Sequence, residues 1–166
     1  MKSEFPVEFH KYLKKFDYLC FWDGATEPIN PGGACGIGAI IFDSKKNSLF
    51  EYSHYIQMSP KNSNNVAEYL GFLELIKWFI KNKVSDKRVI FFGDSNLVVQ
   101  QMNGNWRVKN GLYKKYAIES LKILHKLNET NEIAVKWIGR DLNYIADELS
   151  KKELKRNKIK FRLQYI

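Results

Sequence analysis

Apolar residues recur along the chain in short runs and alternations that predict five β-strands. Three strands come early and are joined by short turns, which favours an antiparallel meander. The fourth is a continuous apolar run, typical of a strand buried on both faces. The predicted strands cover 18–22, 36–42, 48–57, 87–93 and 133–138.

Between these runs, apolar residues spaced three or four positions apart predict helices. The longest covers 63–82, where Ser63 or Asn64 can cap the amino terminus. The order of elements predicts an α/β fold with helices on the faces of a mixed sheet. That order is three strands, a helix, a strand, helices, a strand and a final helix. The other predicted helices cover 5–16, 95–103, 110–128 and 143–152.

Length and composition favour one domain covering 1–166, because 166 residues with 45% hydrophobic content can bury a sizeable core. Within it we expect a helical extension at 1–17, a catalytic core at 18–152 and a basic tail at 153–166. The only cysteines, Cys20 and Cys35, are interpreted as reduced core residues. No stretch is apolar enough to span a membrane and no targeting signal is evident, so we expect a cytoplasmic monomer without a membrane partner.

The charge of the chain favours a polyanionic partner. The formal net charge is +9 and the pI about 9.4. Residues 151–166 contain seven Lys and Arg and one Glu, so the carboxyl-terminal segment carries +6 of that excess. The last nine residues, 158–166, alternate between basic or polar and apolar positions. This alternation predicts an added edge strand or a segment ordered by nucleic acid, against the alternative of a disordered tail.

Four acidic residues stand out because each lies in a distinct local context. Asp23 and Asp94 each end an apolar run, Glu68 lies near the start of the long helix, and Asp147 lies in the last helix. Ligands collect at the carboxyl ends of strands in such sheets, and parallel neighbouring strands would bring Asp23 and Asp94 face to face. Carboxylates grouped in this way could hold Mg²⁺ for phosphodiester chemistry.

Each acid also has a local explanation that needs no metal. Asp94 with Ser95 could cap a helix. Glu68 is favourable near a helix amino terminus, and Asp23 before Gly24 could belong to a turn. Asp147 could be an exposed helical residue. These local explanations do not account for the occurrence of all four acids at the predicted active-site edge of a single fold.

Four motifs that contain these acids occur in order along 18–152. Together they resemble the motifs of type 1 ribonuclease H, in its stand-alone archaeal-like and bacterial form. The motifs are Asp23-Gly24-Ala25 with 31–38, then 64–68, 93–95 and 140–150. The resemblance implies the ribonuclease H-like fold, a five-stranded mixed sheet in the order 3-2-1-4-5 flanked by helices. It also implies an endonuclease that hydrolyses the RNA strand of RNA–DNA hybrids and leaves 3′-hydroxyl and 5′-phosphate ends.

The same resemblance assigns roles to the acids and implies two Mg²⁺ ions, with Mn²⁺ able to substitute. Asp23 would bridge both ions, and Glu68 and Asp94 would each bind one of them. Asp147 would bind the other and help to orient the attacking water. Arg140 stands where many bacterial members carry a histidine, and a fixed cation there could stabilise phosphate charge.

The resemblance also suggests residues that contact the substrate. Asn65 and Asn96 align with residues that touch the minor groove and the 2′-hydroxyls, which distinguish RNA from DNA. Gly24 would let backbone approach the substrate closely, and Asn143 aligns with a residue that contacts a DNA-strand phosphate. Asn64 and Ser95 are predicted substrate-binding residues because they belong to the second and third motifs. Asn64, Asn65 and Asn143 could instead stabilise turns or cap helices.

A short basic segment follows the third motif. Residues 106–115 carry four positive charges and no negative charge. Trp106 and Lys109 are predicted to contact the DNA strand by stacking and phosphate binding. The alternative is a solvated loop in which Trp106 is anchored in the core.

Two other functions remain open at this point. One is a catalytically idle nucleic-acid-binding domain of the same fold, although the complete set of acids argues against it. The other is a ribonuclease H domain associated with a reverse transcriptase. A proofreading exonuclease is less compatible, since such relatives usually have an Asp-x-Glu pair where this chain has Asp23 and Ala25.

Overall fold

A computed structural model describes residues 3–162 and contains one five-stranded mixed sheet. The strand order is β3-β2-β1-β4-β5, with β1–β2 and β2–β3 antiparallel and β1–β4 and β4–β5 parallel. The predicted fold class and strand order are confirmed. The strands are β1 (Tyr18–Glu27), β2 (Ala34–Asp43), β3 (Ser48–Ile56), β4 (Arg88–Gly93) and β5 (Glu132–Trp137).

Within 3–162, four α-helices accompany the sheet; the first two begin and end within one residue of the predicted positions, and the third begins four residues later than predicted. The last helix runs four residues farther than predicted, and a short 3-10 helix, Arg140–Leu142, precedes it. The amino-terminal helix is a 3-10 helix, Val7–Tyr12, where the sequence predicted a longer one. The α-helices are α1 (Asn64–Lys81), α2 (Asn96–Met102), α3 (Lys114–Asn128) and α4 (Tyr144–Arg156).

Strand β1 continues past the predicted end at Trp22, so Asp23 lies inside the strand. The reason is the unequal length of its neighbours. The parallel pairing with β4 stops at Phe21, whereas the antiparallel pairing with β2 continues to Glu27. Asp23 therefore lies just beyond the parallel pairing, where one edge of β1 is no longer covered by a strand.

The sheet separates two hydrophobic layers, because successive side chains of a strand point to opposite faces. Cys20 and Trp22 of β1 pack with α1 and α3. Leu19 and Phe21 point the other way and pack with α4 and with Phe9 of the amino-terminal segment. Helix α4 can lie directly on β2 because Gly36 and Gly38 have no side chains there: a Cβ on either would overlap the α4 backbone.

The carboxyl-terminal segment leaves α4 after Arg156. Its described part, 157–162, contains a turn and no strand. The rest of the predicted edge strand, 163–166, lies outside the described residues. Within 3–162, none of the helices combines the length and the hydropathy needed to cross a membrane.

Candidate active site

Three of the four acids converge at the edge of the sheet where β1 and β4 separate. Carboxylate oxygens of Asp23, Glu68 and Asp94 all lie within 4.8 Å of one another. Glu68 Oε2 and Asp94 Oδ2 are buried and have no hydrogen-bond partner among the residues described. Because buried unpaired carboxylate oxygens are costly, this cluster has the chemistry of an oxygen-ligand cation site.

The backbone explains why these acids meet. Asp23 lies past the parallel part of β1, and Asp94 directly follows β4. Glu68 reaches them from the second turn of α1, because that helix packs against β1 at Gly24. A Cβ on Gly24 would lie 2.3 Å from the carbonyl carbon of Ala67 and 2.5 Å from the nitrogen of Glu68. Gly24 is buried against helix α1 and also lines the pocket beside Asp23, so its close approach to a substrate stays a prediction.

The acids raise one another's pKa. Burial, and after it the charge of Asp94, raises the pKa of Asp23 to about 8. Burial, followed by the charge of Asp23, raises the pKa of Glu68 well above its usual range. Burial also raises the pKa of Asp94, although the Arg140 guanidinium opposes this shift. Without a cation, the pocket therefore holds fewer negative charges than it has carboxyl groups.

Asp147 lines the same pocket from α4 but is not one of the three closely spaced acids. Both of its carboxylate oxygens lie 3.0 Å from Nζ of Lys151, one helical turn later. Between them in sequence, the buried Ser150 Oγ lies 3.3 Å from Asp23 Oδ2. Helix α4 thus brings a carboxylate, an ammonium group and a hydroxyl to one side of the pocket. We call this pocket the acid pocket and define it by Asp23, Glu68, Asp94 and Asp147.

Arg140 is the cation nearest to Asp94. Its Nε lies 4.0 Å from Asp94 Oδ2, and its side chain is 78% exposed. It belongs to the short 3-10 helix between β5 and α4. The guanidinium therefore stands at the open side of the acid pocket, where it can reach both an acid and an incoming anion.

The predicted substrate residues of the second and third motifs differ in exposure. Asn65 and Asn96 are exposed, as a contact with a nucleic-acid groove requires. Asn64 lines the pocket, and its Oδ1 accepts a hydrogen bond of 2.9 Å from the Thr26 amide, which joins α1 to the end of β1. Ser95 caps α2 by accepting a hydrogen bond from the Val98 amide.

Asn143 is buried where helix α4 begins. Its side chain is 1% exposed, and its Nδ2 donates a 2.9 Å hydrogen bond to the carbonyl oxygen of Trp22. The side chain fastens the start of α4 to β1, immediately before Asp23. The predicted contact between Asn143 and a DNA-strand phosphate stays a prediction.

The basic segment forms an irregular loop between α2 and α3, which we call the basic loop (residues 103–113). Trp106 is 47% exposed, so its ring is available for stacking and is not anchored in the core. Arg107 and Lys109 are exposed, and no acidic residue occurs between Ser95 and Ile118. Both predicted contact residues of this loop are therefore accessible to a nucleic acid.

The carboxyl-terminal segment forms a wall of the acid pocket. Phe161 and Arg162 line a space of about 500 Å³ together with Asp23, Glu68 and Asp147. Arg162 is held by Glu27: its amide and Nε donate to the carboxylate at 2.8 and 3.0 Å, and its Nη2 donates to the Thr26 carbonyl at 2.7 Å. The tail thus returns to the far end of β1.

Sequence reasoning missed several residues of this pocket. Lys151 follows Asp147 by four positions, and this helical spacing was the one signal that could have revealed the pair. Glu27 and Arg162 are 135 residues apart, and no local pattern joins them. Ser150 belongs to the fourth motif, but only the packing of α4 on β2 shows that it faces Asp23.

Comparison with known proteins agrees with this geometry. Residues 22–153 match the family model described as reverse transcriptase-like. The bifunctional protein Rv2228c of Mycobacterium tuberculosis is 31% identical over 121 residues, which cover 73% of this chain. The matched region spans 31% of the length of that relative.

Two solved structures extend the comparison. A structure of LC11-RNase H1 in complex with an RNA/DNA hybrid has 29% identity and a TM-score of 0.73, covering 85% of this chain and 99% of that chain. The amino-terminal RNase H domain of the M. tuberculosis protein Rv2228c, solved as a fusion with maltose-binding protein, has 26% identity and a TM-score of 0.74. That match covers 86% of this chain and 96% of that chain.

The fold and the site define a ribonuclease H-like protein. The chain belongs to the reverse transcriptase-like family, and the resemblance to type 1 ribonuclease H that its four motifs carry is confirmed.

Proposed function

We propose that this protein is an endonuclease that hydrolyses the RNA strand of RNA–DNA hybrids with the help of two divalent cations. The observation that carries the proposal is the convergence of Asp23, Glu68 and Asp94 within 4.8 Å, with two oxygens that lack hydrogen-bond partners in the part of the chain described. The match to a ribonuclease H1 solved with its hybrid supports the choice of substrate. The excess of basic residues supports a polyanionic ligand.

The donor set fits hard cations such as Mg²⁺, with Mn²⁺ as a substitute. All the candidate ligands are carboxylates, and no thiol or imidazole lies among them. Asp23, Glu68 and Asp94 would hold one ion, and Asp23 with Asp147 the second. Bound cations would neutralise phosphate charge and make a water molecule a better nucleophile.

The remaining chemistry is assigned to the side chains around the acids. In the proposed reaction, water attacks phosphorus, the bond from phosphorus to the 3′-oxygen breaks, and a proton passes to that oxygen. The products are a 3′-hydroxyl and a 5′-phosphate. Arg140 would pair with a non-bridging oxygen of the phosphate, while Lys151 holds the Asp147 carboxylate in place. Asn65 and Asn96 would lie in the minor groove and read the 2′-hydroxyls.

One assay tests this function. End-labelled RNA–DNA, RNA–RNA and DNA–DNA duplexes are incubated with wild-type protein and with the Asp94→Asn variant, in Mg²⁺, in Mn²⁺ or in EDTA. We expect cleavage of the hybrid only with a cation. We expect Asp94→Asn to lower the rate by about 10³-fold, since a metal supplies several kcal/mol and each 1.4 kcal/mol is a factor of ten.

Asp86→Asn is the matched control for this assay. Asp86 is exposed, lies in the turn before β4 with φ of 58°, and asparagine tolerates that conformation. It should cleave at the wild-type rate. Equal rates for wild type and Asp94→Asn would exclude the site. Hybrid binding without cleavage by the wild type would select the alternative of an idle nucleic-acid-binding domain.

A further inference from the structure

A buried amide connects the basic loop to the helix that carries Glu68. Gln101 lies near the end of α2 and is 2% exposed. Its Oε1 accepts a short hydrogen bond from the hydroxyl of Tyr69, the residue after Glu68 on α1. Its Nε2 donates to the carbonyl oxygen of Arg107 at 3.0 Å and to the hydroxyl of Tyr113 at 3.1 Å.

This pattern requires a neutral amide. One end of the side chain must accept a hydrogen bond and the other must donate two hydrogen bonds, which glutamine can do and glutamate or leucine cannot. The rings of Tyr69 and Tyr113 are stacked, with their centroids 5.7 Å apart. The Tyr113 hydroxyl also accepts a 3.2 Å hydrogen bond from the Lys109 amide. Two backbone positions of the basic loop, Arg107 and Lys109, are thus fixed from inside the protein.

The amino-terminal part of the loop is fixed by the preceding residue, Gln100. Its carbonyl oxygen accepts from the amides of Asn105 and Trp106 at 2.9 and 3.2 Å. The donors of these bonds belong to exposed residues, whereas two of the three Gln101 bonds are buried and the bond to Arg107 is partly buried. Buried bonds resist competition from water. The basic loop has no regular secondary structure of its own beyond turns. Gln101 joins its middle to the core, while Asn103 Nδ2 donates to the Val135 carbonyl oxygen at 3.0 Å and Val108 packs against the core cluster.

We propose that Gln101 is a positioning residue for the substrate: it fixes the basic loop relative to the acid pocket, so that a hybrid gripped by Trp106 and Lys109 presents a phosphodiester to the acids. This inference rests on the proposed function. It makes α2 a connecting element, because Asp94 precedes the helix and Gln101 lies near its end, about ten Å farther along.

The test is a Gln101→Leu variant, which keeps the side-chain size and removes the polar contacts. Hybrid cleavage is measured across hybrid and salt concentrations. We expect KM to rise roughly tenfold, the loss that accompanies one misplaced stacking or phosphate contact. At saturating hybrid, kcat should change by less than about twofold, because the acids are untouched. The salt dependence of binding should flatten.

Tyr69→Phe is the matched control. It removes the hydroxyl on the α1 side of the network and leaves both donors of Gln101 to the loop. Gln101 stays connected to Asp94 through helix α2 in this variant, so the loop keeps its position and we expect KM and the salt dependence to match the wild type. Tyr113→Phe removes the acceptor used by Lys109 and should raise KM in the same direction as Gln101→Leu, by a smaller factor, which gives a second readout if Gln101→Leu does not fold.

Combination with Lys109→Ala separates positioning from general destabilisation. If Gln101 acts through the loop, Gln101→Leu raises the KM of Lys109→Ala by a smaller factor than it raises the KM of the wild type, because the Lys109 contact is already lost. Additive effects, or a KM increase in Tyr69→Phe equal to that in Gln101→Leu, would overturn the inference. A wild-type protein that neither binds nor cleaves the hybrid would instead refute the proposed function, so the two failures are distinguishable.

Discussion

The acid pocket and the basic loop are both charged, but the protein builds them in opposite ways. The acids project from a strand, a strand end and two helices, and three of them share a small buried volume. The basic side chains project from an irregular loop into solvent, and neither Arg107 nor Lys109 takes part in an ion pair among the residues described. The acid pocket concentrates negative charge that destabilises the folded state, whereas the basic loop exposes positive charge with little effect on stability.

The contrast between the two regions shows where function conflicts with stability. Buried like charges destabilise a folded protein, and a shared cation or protonation relieves the repulsion. Solvated cations on a loop have almost no such effect. Mutations in the two regions should therefore separate in a plot of activity against stability: neutralising an acid should stabilise and inactivate, whereas removing a basic side chain should weaken binding and leave stability unchanged.

The largest separation is expected for Asp94→Asn. In EDTA at pH 8 we expect its melting temperature to exceed that of the wild type by roughly 5 °C, which corresponds to about 2 kcal/mol in a domain of this size. The same variant should lose hybrid cleavage. The measurement is thermal unfolding by circular dichroism, with Asp86→Asn as the control that should melt like the wild type.

The dependence of this stabilisation on pH follows from the raised pKa values. A carboxyl group whose pKa is higher in the folded state than in the unfolded state favours folding at low pH. That advantage is lost as pH rises from the unfolded value of 3.8 through the folded value, about 8 for Asp23. The difference in melting temperature between Asp94→Asn and wild type should therefore grow from pH 5 to pH 8 and shrink when Mg²⁺ is added. A melting temperature below that of the wild type for Asp94→Asn at pH 8 would contradict the inference that the buried acids destabilise the folded protein.

The opposite behaviour is expected for the basic loop. Trp106→Ala should raise KM for the hybrid roughly tenfold, since stacking on one base is worth about 1–3 kcal/mol. Lys109→Ala should reduce the slope of log K against log salt by about 0.9 if Lys109 neutralises one phosphate. Both variants should melt within about 2 °C of the wild type, because surface substitutions seldom exceed 0.5 kcal/mol.

Lys81→Ala is the control for the loop variants. Lys81 is exposed at the carboxyl end of α1, the end opposite to the one that carries Glu68. Its removal lowers the net charge by the same amount as Lys109→Ala but at a different place. If both lysine variants change KM and the salt slope equally, the basic loop has no special role and net charge alone explains the binding.

The sequence was sufficient for the parts of the molecule that depend on periodicity and strand order. The spacing of apolar residues located all five strands, and the position of Asp23 and Asp94 after apolar runs placed both acids at one edge of the sheet. It misjudged the length of β1, because the end of an apolar run shows where burial on both faces stops, whereas pairing with β2 continues to Glu27.

The remaining features depend on contacts that no local pattern reveals. Gly24 is required by the backbone of α1, which packs against it. Asn143 is turned inward by the carbonyl oxygen of Trp22, 121 positions earlier. Gln101 looks like any polar residue of a short helix until its three partners are seen. Each of these polar or small residues acts across the fold, where sequence spacing carries no information about distance.

The carboxyl-terminal segment is a third charged region, and its exposure and ion pairing are intermediate between those of the acid pocket and the basic loop. The Arg162 side chain is 39% exposed, as basic-loop side chains are exposed, but it forms an ion pair with Glu27 at the wall of the acid pocket. We expect Arg162→Ala to cost about 1 kcal/mol or less in stability and to raise KM by roughly threefold. Deletion of 158–166 should additionally flatten the salt dependence of hybrid binding, since it also removes Lys158 and Lys160.

The deletion must begin after α4. Leu154 is fully buried, so a deletion from residue 153 would open the core and confuse folding with binding. The variant Glu27→Gln then tells the two roles of Arg162 apart. If the guanidinium contacts phosphate, removing its carboxylate partner should strengthen hybrid binding at low salt, because the freed positive charge stays beside the pocket. If Glu27→Gln and Arg162→Ala weaken binding equally, the pair acts only as an anchor for the tail.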